Sequence, residues 1–174
     1  SVGADLQAMM PVFMSGGAKA IGAEEKKMQD AFMRLKYAQV PTIAAVSGMA
    51  LGGGCELILH CSKAVASLES YIGLVEVGVG LIPGAGGLKE GALRAAQAAQ
   101  AAGMTDVFPF MKNWFLNAAM ANVSKSAIEA KAMGYLRPTD LVVFNNHELL
   151  WTAIGEAFAM HATGYRPPLK PKAF

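Results

Sequence analysis

The sequence predicts an α/β fold whose second half is mainly helical, and three observations support that class. Short apolar runs at residues 42–47, 64–67 and 141–144 lie between turn-forming or polar residues, as buried strands do. Segments with apolar residues at helical spacing alternate with these runs, which is typical of a sheet covered by helices. Beyond residue 88 helical segments predominate, and the first of them is rich in alanine.

The region before the first strand predicts two helical segments with a break between them. Asp5 can cap the first segment, which covers residues 6–14, and Ser15-Gly16-Gly17 interrupts it. Residues 23–37 predict an amphipathic helix. Its apolar face contains Met28, Phe32 and Leu35. Its charged residues, which we expect on a solvated face, are Glu24, Glu25, Lys26, Lys27 and Asp30.

The remaining elements follow from turn, capping and periodicity signals. In chain order they are a glycine turn at residues 48–54, a helix at 55–62, strands at 64–67 and 71–73, a loop at 75–87, helices at 88–102 and 111–123, a short helix capped by Ser126 and Glu129, a strand at 141–144, a final helix with Leu150, Ile154, Phe158 and His161 on one face, and an extended tail at 166–172.

Composition limits the class of protein. Hydrophobic residues make up 53% and charged residues 16% of the 174 residues, which indicates large internal burial or burial against partner subunits. The formal net charge of +2 is too small to indicate nucleic-acid binding. No apolar run reaches the roughly 18 residues of a membrane-spanning helix. Cys55 and Cys61 fall on different faces of one predicted helix, so we expect free thiols and a reducing cytoplasm.

The glycine turn is followed at once by an acid, Glu56, and twenty residues later by a second acid, Glu76. A strand, a glycine turn and a helix in succession expose backbone N–H groups that can bind an anion or a developing oxyanion. A phosphate-binding P-loop fits poorly because Cys55-Glu56 occupies the place of the required Lys-Ser/Thr. The spacing in residues 78–84 does not match a dinucleotide fingerprint. Close packing of glycines with Glu56 as a helix cap remains the structural alternative.

These segments resemble the enoyl-CoA hydratase (crotonase) superfamily. Residues 43–57, Ile-Ala-Ala-Val-Ser-Gly-Met-Ala-Leu-Gly-Gly-Gly-Cys-Glu-Leu, are similar to its signature, and residues 76–87 resemble its second active-site segment at the matching spacing. Residues 1–6 resemble the segment that supplies its first oxyanion-hole donor, and residues 126–136 resemble a later helix-to-loop segment. The resemblance runs to about residue 160.

The resemblance implies a catalytic role for five residues. The backbone N–H groups of Ala4 and Gly53 would form the oxyanion hole for the thioester carbonyl oxygen. Glu56 would activate the water added at C3, and Glu76 would exchange the proton at C2. Gly84 would donate a backbone hydrogen bond near the water. Because relatives that only isomerise a double bond commonly keep one acid, the presence of both favours a hydratase.

The resemblance also implies substrate contacts and partners. Met49 and Leu51 beside the oxyanion turn would contact the acyl group together with Gly52, and Asp5 and Leu6 would lie at the adenine side of coenzyme A. No metal or tightly bound cofactor is needed, coenzyme A is the substrate carrier, and NAD would serve only a dehydrogenase domain elsewhere in a parent chain. His60, His147 and His161 have no metal-site pattern.

The family fold is a spiral of β-β-α turns whose first strands precede the Ala4 segment, so we expect a spiral truncated at its start. We predict a partial spiral core with the active site at residues 1–103, a helical C-terminal region of the same domain at 104–164, and a Pro/Lys tail at 165–174. Family members are usually trimers or dimers of trimers, so we expect a homo-oligomer, with no nucleic-acid partner and no membrane span.

One departure refines the resemblance. Where the family often has Thr-Gln-Arg, this chain has Leu88-Lys89-Glu90, and with residues 74–83 this resembles the hydratase part of larger proteins that carry a 3-hydroxyacyl-CoA dehydrogenase. The leading hypothesis is an enoyl-CoA hydratase of fatty-acid β-oxidation within such a multifunctional protein. A Δ3,Δ2-enoyl-CoA isomerase and a non-catalytic acyl-CoA-binding or assembly scaffold are the alternatives.

Overall fold

The elements of this chain follow the α/β order that the sequence predicts. The computed structural model describes residue 3 and residues 5–170, except for the side chain of Leu6. The elements are α1 (Leu6–Lys36), β1 (Ile43–Val46), β2 (Met49–Leu51), α2 (Gly53–His60), β3 (Lys63–Ser67), β4 (Tyr71–Gly73), a 3-10 helix (Glu76–Val79), α3 (Gly87–Ala101), α4 (Phe108–Ala119), α5 (Ala127–Ala132), β5 (Leu141–Val143), a second 3-10 helix (Asn146–Glu148) and α6 (Leu149–Ala162).

Two consecutive β-β-α turns form the centre of the fold. The first turn is β1, β2 and α2, and the second is β3, β4 and the 3-10 helix. β1 pairs in parallel with β3, with Ile43 opposite Lys63, and β2 pairs in parallel with β4, with Met49 opposite Tyr71. β5 then extends the first sheet beside β3. Each turn therefore adds one strand to each of two parallel sheets, as a β-β-α spiral does.

The main core lies between the strands, α2 and the C-terminal helices. Val46, Ile72 and Leu74 from the spiral share one buried cluster with Trp114 and Tyr135 from the helical part. The Trp114 and Tyr135 rings meet edge to face with centroids 5.4 Å apart. Burial of this kind stabilises a domain by about 25 cal/mol per Å² of apolar surface. The helical half is thus part of the same core as the spiral.

α1 bends at Gly17, whose φ of 55° and ψ of −154° are not helical. This bend is the break that the sequence predicts at residues 15–17.

The Asp5 side chain caps α1 by accepting a hydrogen bond from the Ala8 N–H at 3.1 Å, which confirms its predicted capping role. The predicted solvated position of Glu25 is wrong: its side chain is half-buried and lies against Gly84.

Three further element predictions differ from the structure. β2 replaces part of the predicted glycine turn, because pairing with β4 extends the backbone at Met49. The predicted loop at residues 75–87 contains the 3-10 helix Glu76–Val79, closed by left-handed Gly80. α4 begins at Phe108 rather than residue 111, because Pro109 is favoured in the first turn of a helix.

The C-terminal half is connected to α2 by polar contacts as well as by the core. Arg94 and Arg137 each donate to the carbonyl oxygen of Leu59, at 3.3 and 3.4 Å, where positive charge is favoured at the end of a helix. The Tyr165 hydroxyl lies 2.8 Å from the Ser62 hydroxyl, so the first residue of the predicted tail packs on the body. Among the described helices, none is long and apolar enough to cross a membrane.

Candidate active site

The glycine turn forms the start of α2 at the junction with the second sheet. Gly52 caps α2 with φ 54° and ψ −123°, a conformation that side chains disfavour, and its N–H donates to the Gly73 carbonyl at 2.9 Å. The Glu56 N–H donates to the Gly52 carbonyl at 2.9 Å as the first bond of the helix. The N–H of Gly53 comes before that bond, so no carbonyl of α2 accepts it. It can therefore donate to a bound oxyanion.

A cavity of about 470 Å³ opens beside this turn. Its polar lining comes from three glutamates, Glu25, Glu56 and Glu76, and from the backbone of Gly53 and Gly84. The apolar lining comes from α1 and from the segment after β4, through Met9, Phe13, Ile21, Met28, Val75, Val79, Leu81 and Ile82. An apolar pocket with a few convergent polar groups is the usual form of a small-molecule site.

Glu56 is the more enclosed of the two predicted acids. Its residue is 3% exposed, and its Oε1 accepts a hydrogen bond from the Gly87 N–H at 2.8 Å. Burial raises the pKa of Glu56 to about 7, and the charges of Glu76 and Glu25 raise it further, while backbone N–H groups of Gly87 and Ala85 oppose the rise. Near neutral pH this carboxyl can both release and accept a proton.

Glu76 begins the 3-10 helix and faces the same cavity. Within the described part of the chain, both of its carboxyl oxygens are buried without a hydrogen-bond partner. Desolvation raises the pKa of Glu76, and the nearby backbone N–H groups of Glu76 itself and Val75 offset part of that rise without reaching hydrogen-bond geometry. Buried polar atoms are normally satisfied, so this carboxyl has its bonding capacity open toward the cavity.

The structure brings five of the predicted site residues to one cavity: Gly52, Gly53, Glu56, Glu76 and Gly84 all line it. A Cβ at Gly52 would stand 3.4 Å from Oε1 of Glu76, so the glycine leaves room for that carboxyl.

The other predicted site residues are placed elsewhere. Met49 is 52% exposed and Leu51 ends β2, and neither lines the cavity. Asp5 is exposed at the start of α1, outside the cavity lining. Ala4 and the side chain of Leu6 lie outside what the structure describes. Their predicted roles stay predictions.

Sequence reasoning missed Glu25 as a cavity residue. Glu25 lies three residues before Met28 and seven before Phe32, so these side chains share one face of α1. That face covers the cavity, and Gln29 on the same helix donates from Nε2 to the Gly84 carbonyl at 2.7 Å. The spacing from Met28 could have placed Glu25 on the apolar face; its position among other charged residues concealed it.

A buried charge cluster lies behind Glu56. The Glu90 carboxylate, in a residue 2% exposed, pairs with Lys36 at 2.6 Å and Lys89 at 3.0 Å. His60 is in contact with the Glu56 carbonyl through Nδ1 at 2.7 Å and lies 3.6 Å from Glu90 through Nε2. The two lysines hold the pKa of Glu90 below its ordinary value, although burial opposes this. The cluster joins α1, α2 and α3 beside the Gly86–Gly87 turn.

Comparisons with known proteins point to one family. The model of the family described as enoyl-CoA hydratase/isomerase matches residues 1–107. A probable 3-hydroxyacyl-CoA dehydrogenase of Bacillus subtilis is 39% identical over 171 residues, which cover 98% of this chain and 21% of that protein. A putative fatty acid oxidation complex trifunctional enzyme of Rickettsia felis is 46% identical over 90 residues, covering 52% of this chain and 12% of that protein.

Solved structures share the fold over most of the chain. An enoyl-CoA hydratase from Bacillus anthracis is 26% identical with a TM-score of 0.65, over 92% of this chain and 54% of that one. An enoyl-CoA hydratase from Polaromonas sp. JS666 gives a TM-score of 0.70 at 21% identity, over 92% of this chain and 55% of that one. The likeness confirms the predicted spiral. The chain spans about half of these structures and about a fifth of the Bacillus subtilis protein.

Proposed function

This chain belongs to the enoyl-CoA hydratase/isomerase family, and from that premise we propose that it adds water to trans-2-enoyl-CoA to give 3-hydroxyacyl-CoA in fatty-acid β-oxidation. One observation carries the proposal: two acids with raised pKa values, Glu56 and Glu76, line the same cavity as the Gly53 helix start. A carboxylate and a carboxylic acid that face one compartment can remove a proton from water and supply one to carbon.

The proposed reaction assigns one task to each group. Ionised Glu56 accepts a proton from water as the water oxygen bonds to C3 of the enoyl group. In the ionisation state in which the shared proton sits on Glu76 and not on Glu56, Glu76 gives that proton to C2. The negative charge that develops on the thioester oxygen is stabilised by the Gly53 N–H and, by resemblance, that of Ala4. Losing one such donor typically costs on the order of 3 kcal/mol of barrier. The apolar wall from α1 and residues 79–82 would accept the acyl chain.

The surroundings of this module are also part of the proposal. The name of the Bacillus subtilis relative supports a parent protein with a 3-hydroxyacyl-CoA dehydrogenase part, and the name of the Rickettsia felis relative supports a multifunctional protein of fatty acid oxidation. NAD would serve only the dehydrogenase part. The hydration itself requires coenzyme A as the acyl carrier and no tightly bound cofactor. Cys55 and Cys61 are free thiols, which suits the cytoplasm.

We also propose a homo-oligomer. Large apolar side chains remain exposed on α4 and α6, among them Phe115 at 62%, Trp151 at 80% and Phe158 at 70%. Apolar surface of this kind marks association sites in many proteins. The sedimentation coefficient of the full-length protein tests this, and a monomeric value would contradict it.

The hydratase proposal is tested with E56Q and E76Q in the full-length protein. We expect each variant to lower kcat for crotonyl-CoA hydration by at least about 10²-fold, because general acid–base catalysis typically contributes that much. E24Q is the matched control, since Glu24 is a partly exposed partner of Lys27 outside the cavity lining. Unchanged hydration in both variants would contradict the proposal.

The same variants separate the alternatives. An isomerase would convert 3-enoyl-CoA to 2-enoyl-CoA and would tolerate the loss of one acid. A scaffold would bind acyl-CoA or assemble without any turnover in the wild-type protein.

A further inference from the structure

A third carboxylate lies in the reaction pocket. Glu25 lines the cavity together with Glu56 and Glu76, and it comes from α1. Its neighbours on α1 behave as surface residues: Glu24 pairs with Lys27, and Lys26 pairs with Asp30. Within residues 5–170, Glu25 has no ion-pair partner. An unpaired carboxylate on an otherwise apolar wall is unfavourable unless it has a task.

The Glu25 side chain covers Gly84. A Cβ built on Gly84 would stand 1.6 Å from Oε1 and 2.6 Å from Cδ of Glu25, so the carboxyl group rests directly on the glycine backbone. One helical turn later, Gln29 donates to the Gly84 carbonyl at 2.7 Å. Glu25 and Gln29, which lie one turn apart on the same face of α1, thus fix the position of Gly84. Gly84 is the residue to which the resemblance assigns the hydrogen bond near the catalytic water.

Glu25 also acts on Glu56 through space. Its negative charge is one of the causes that raise the pKa of Glu56. The groups that act on Glu56 from the other elements are the Glu76 carboxyl from the 3-10 helix and the backbone N–H groups of Ala85 and of Gly87, the first residue of α3. Lys89 and Glu90 of α3 meet His60 on the far side, and the neighbouring Cys55 thiol stays neutral because burial raises its pKa.

We propose that Glu25 is a positioning residue of the reaction site, which fixes Gly84 in place and keeps a third negative charge facing Glu56. Removing the negative charge of Glu25 removes a repulsion on the Glu56 carboxylate, so Glu56 loses its proton at a lower pH. The group that accepts the proton from water would then become a weaker base. Since the proposal concerns how Glu56 works as a base, it rests on the proposed function.

The test compares E25Q, E25D and E24Q in the full-length protein. Glutamine keeps the size of the side chain and removes the charge, aspartate keeps the charge, and Glu24 is the adjacent surface acid. The first readout is the titration of the Glu56 carboxyl, followed by carbon-13 NMR of labelled glutamate and assigned with E56Q. The second is the pH profile of kcat/KM for crotonyl-CoA, whose acidic limb reports the ionisation of the base.

We expect E25Q to lower the Glu56 titration midpoint by roughly 0.5 pH unit or more, as estimated for a like charge several ångströms away. The acidic limb of kcat/KM moves the same way, while E25D and E24Q stay near the wild-type midpoint. An unchanged midpoint in E25Q, or an equal shift in E24Q, overturns the inference. If the wild-type protein does not hydrate crotonyl-CoA, the proposed function fails, and the NMR titration still decides the role of Glu25.

Discussion

At the residue scale, Glu56 is placed where burial and hydrogen bonding act in opposite directions. Enclosure by α2 and α3 favours the neutral acid, and the Gly87 N–H, 2.8 Å from Oε1, favours the carboxylate. The balance gives a pKa of about 7, and the Glu56 carboxyl is therefore partly ionised at neutral pH. Gly87 has two roles here: it donates this bond, and its lack of a side chain lets Glu56 approach.

Gly87→Ala tests the second role. An added Cβ would stand 3.0 Å from Oε1 and 3.1 Å from Cγ of Glu56, and 3.1 Å from Cδ2 of Leu74, so the glutamate must shift by a few tenths of an ångström. Small misplacements of a reacting group are costly, and we expect kcat for crotonyl-CoA to fall about 10-fold. Gly87 begins α3 with ordinary helical backbone, so we expect thermal stability to change little.

The matched control for that prediction is Gly155→Ala in α6. No atom lies within 4 Å of its Cβ position, and alanine there favours the helix by about 1 kcal/mol. Its kcat should equal that of the wild type. A kcat for Gly87→Ala equal to that of the control would show that Glu56 does not depend on the space at Gly87.

At the element scale, the buried cluster around Glu90 fixes α3 against α1 and α2. Lys89 and Glu90 belong to the segment at which the resemblance predicts a departure from the family pattern, and in the structure both take part in this cluster. Lys36 on α1 and Lys89 on α3 both pair with Glu90, while His60 on α2 lies 3.6 Å away. The start of α3 contains Gly87, so the cluster also holds the donor that bonds to Glu56.

Glu90→Ala should destabilise α3 strongly. The Lys36 side chain, 12% exposed, would remain buried without its partner, which typically costs about 3–5 kcal/mol. Amide hydrogen exchange of α3 in the full-length protein measures the loss as a lower opening free energy. Glu24→Ala, which breaks a surface pair with Lys27, should cost under about 1 kcal/mol. Equal protection of α3 in the two variants would contradict a structural role for the cluster.

The sequence predicts elements whose signals are local, and it fails where contacts from other elements decide. The Asp5 cap, the break near Gly17 and the strand at residues 64–67 follow from local signals, and the structure confirms them. β2 exists because β4 pairs with it, which no local pattern shows. The position of Glu25 on the cavity wall depends on how α1 packs against the segment around Gly84. Gly84 lies 59 residues after Glu25 in the chain, so no local pattern predicts that contact.

The candidate site follows the same rule. Glu56, Glu76 and Gly53 could be named from their motif and spacing, and the structure places all three at one cavity. Met49 and Leu51 pair with β4 and do not line that cavity, and their predicted acyl contacts stay predictions. The roles of all these residues in catalysis stay predictions until the variants are measured.

At the scale of the whole molecule, burial of Glu56 reduces the stability of the folded protein near neutral pH. Glu56 has an ordinary pKa of about 4.5 in the unfolded chain and about 7 in the folded one. Between these values the folded state keeps a proton that the unfolded state releases, so stability falls as pH rises from about 4.5 to 7. Glu90 acts in the opposite direction: its lowered pKa contributes stability above its ordinary value, and this is lost as pH falls through the folded value.

Glu56→Gln should therefore stabilise the protein most at high pH. Glutamine can still accept the Gly87 hydrogen bond and has no charge to bury. The difference between the folded and unfolded pKa values of Glu56 corresponds to roughly 3 kcal/mol at pH 8 and to almost nothing at pH 4. Hydrogen exchange of the α2 amides, converted to opening free energies at several pH values, measures the difference between variant and wild type. That difference should grow between about pH 4.5 and 7 and then level off. A difference that does not depend on pH would mean that Glu56 has an ordinary pKa in the folded protein, and its proposed use as a near-neutral base would lose its physical basis.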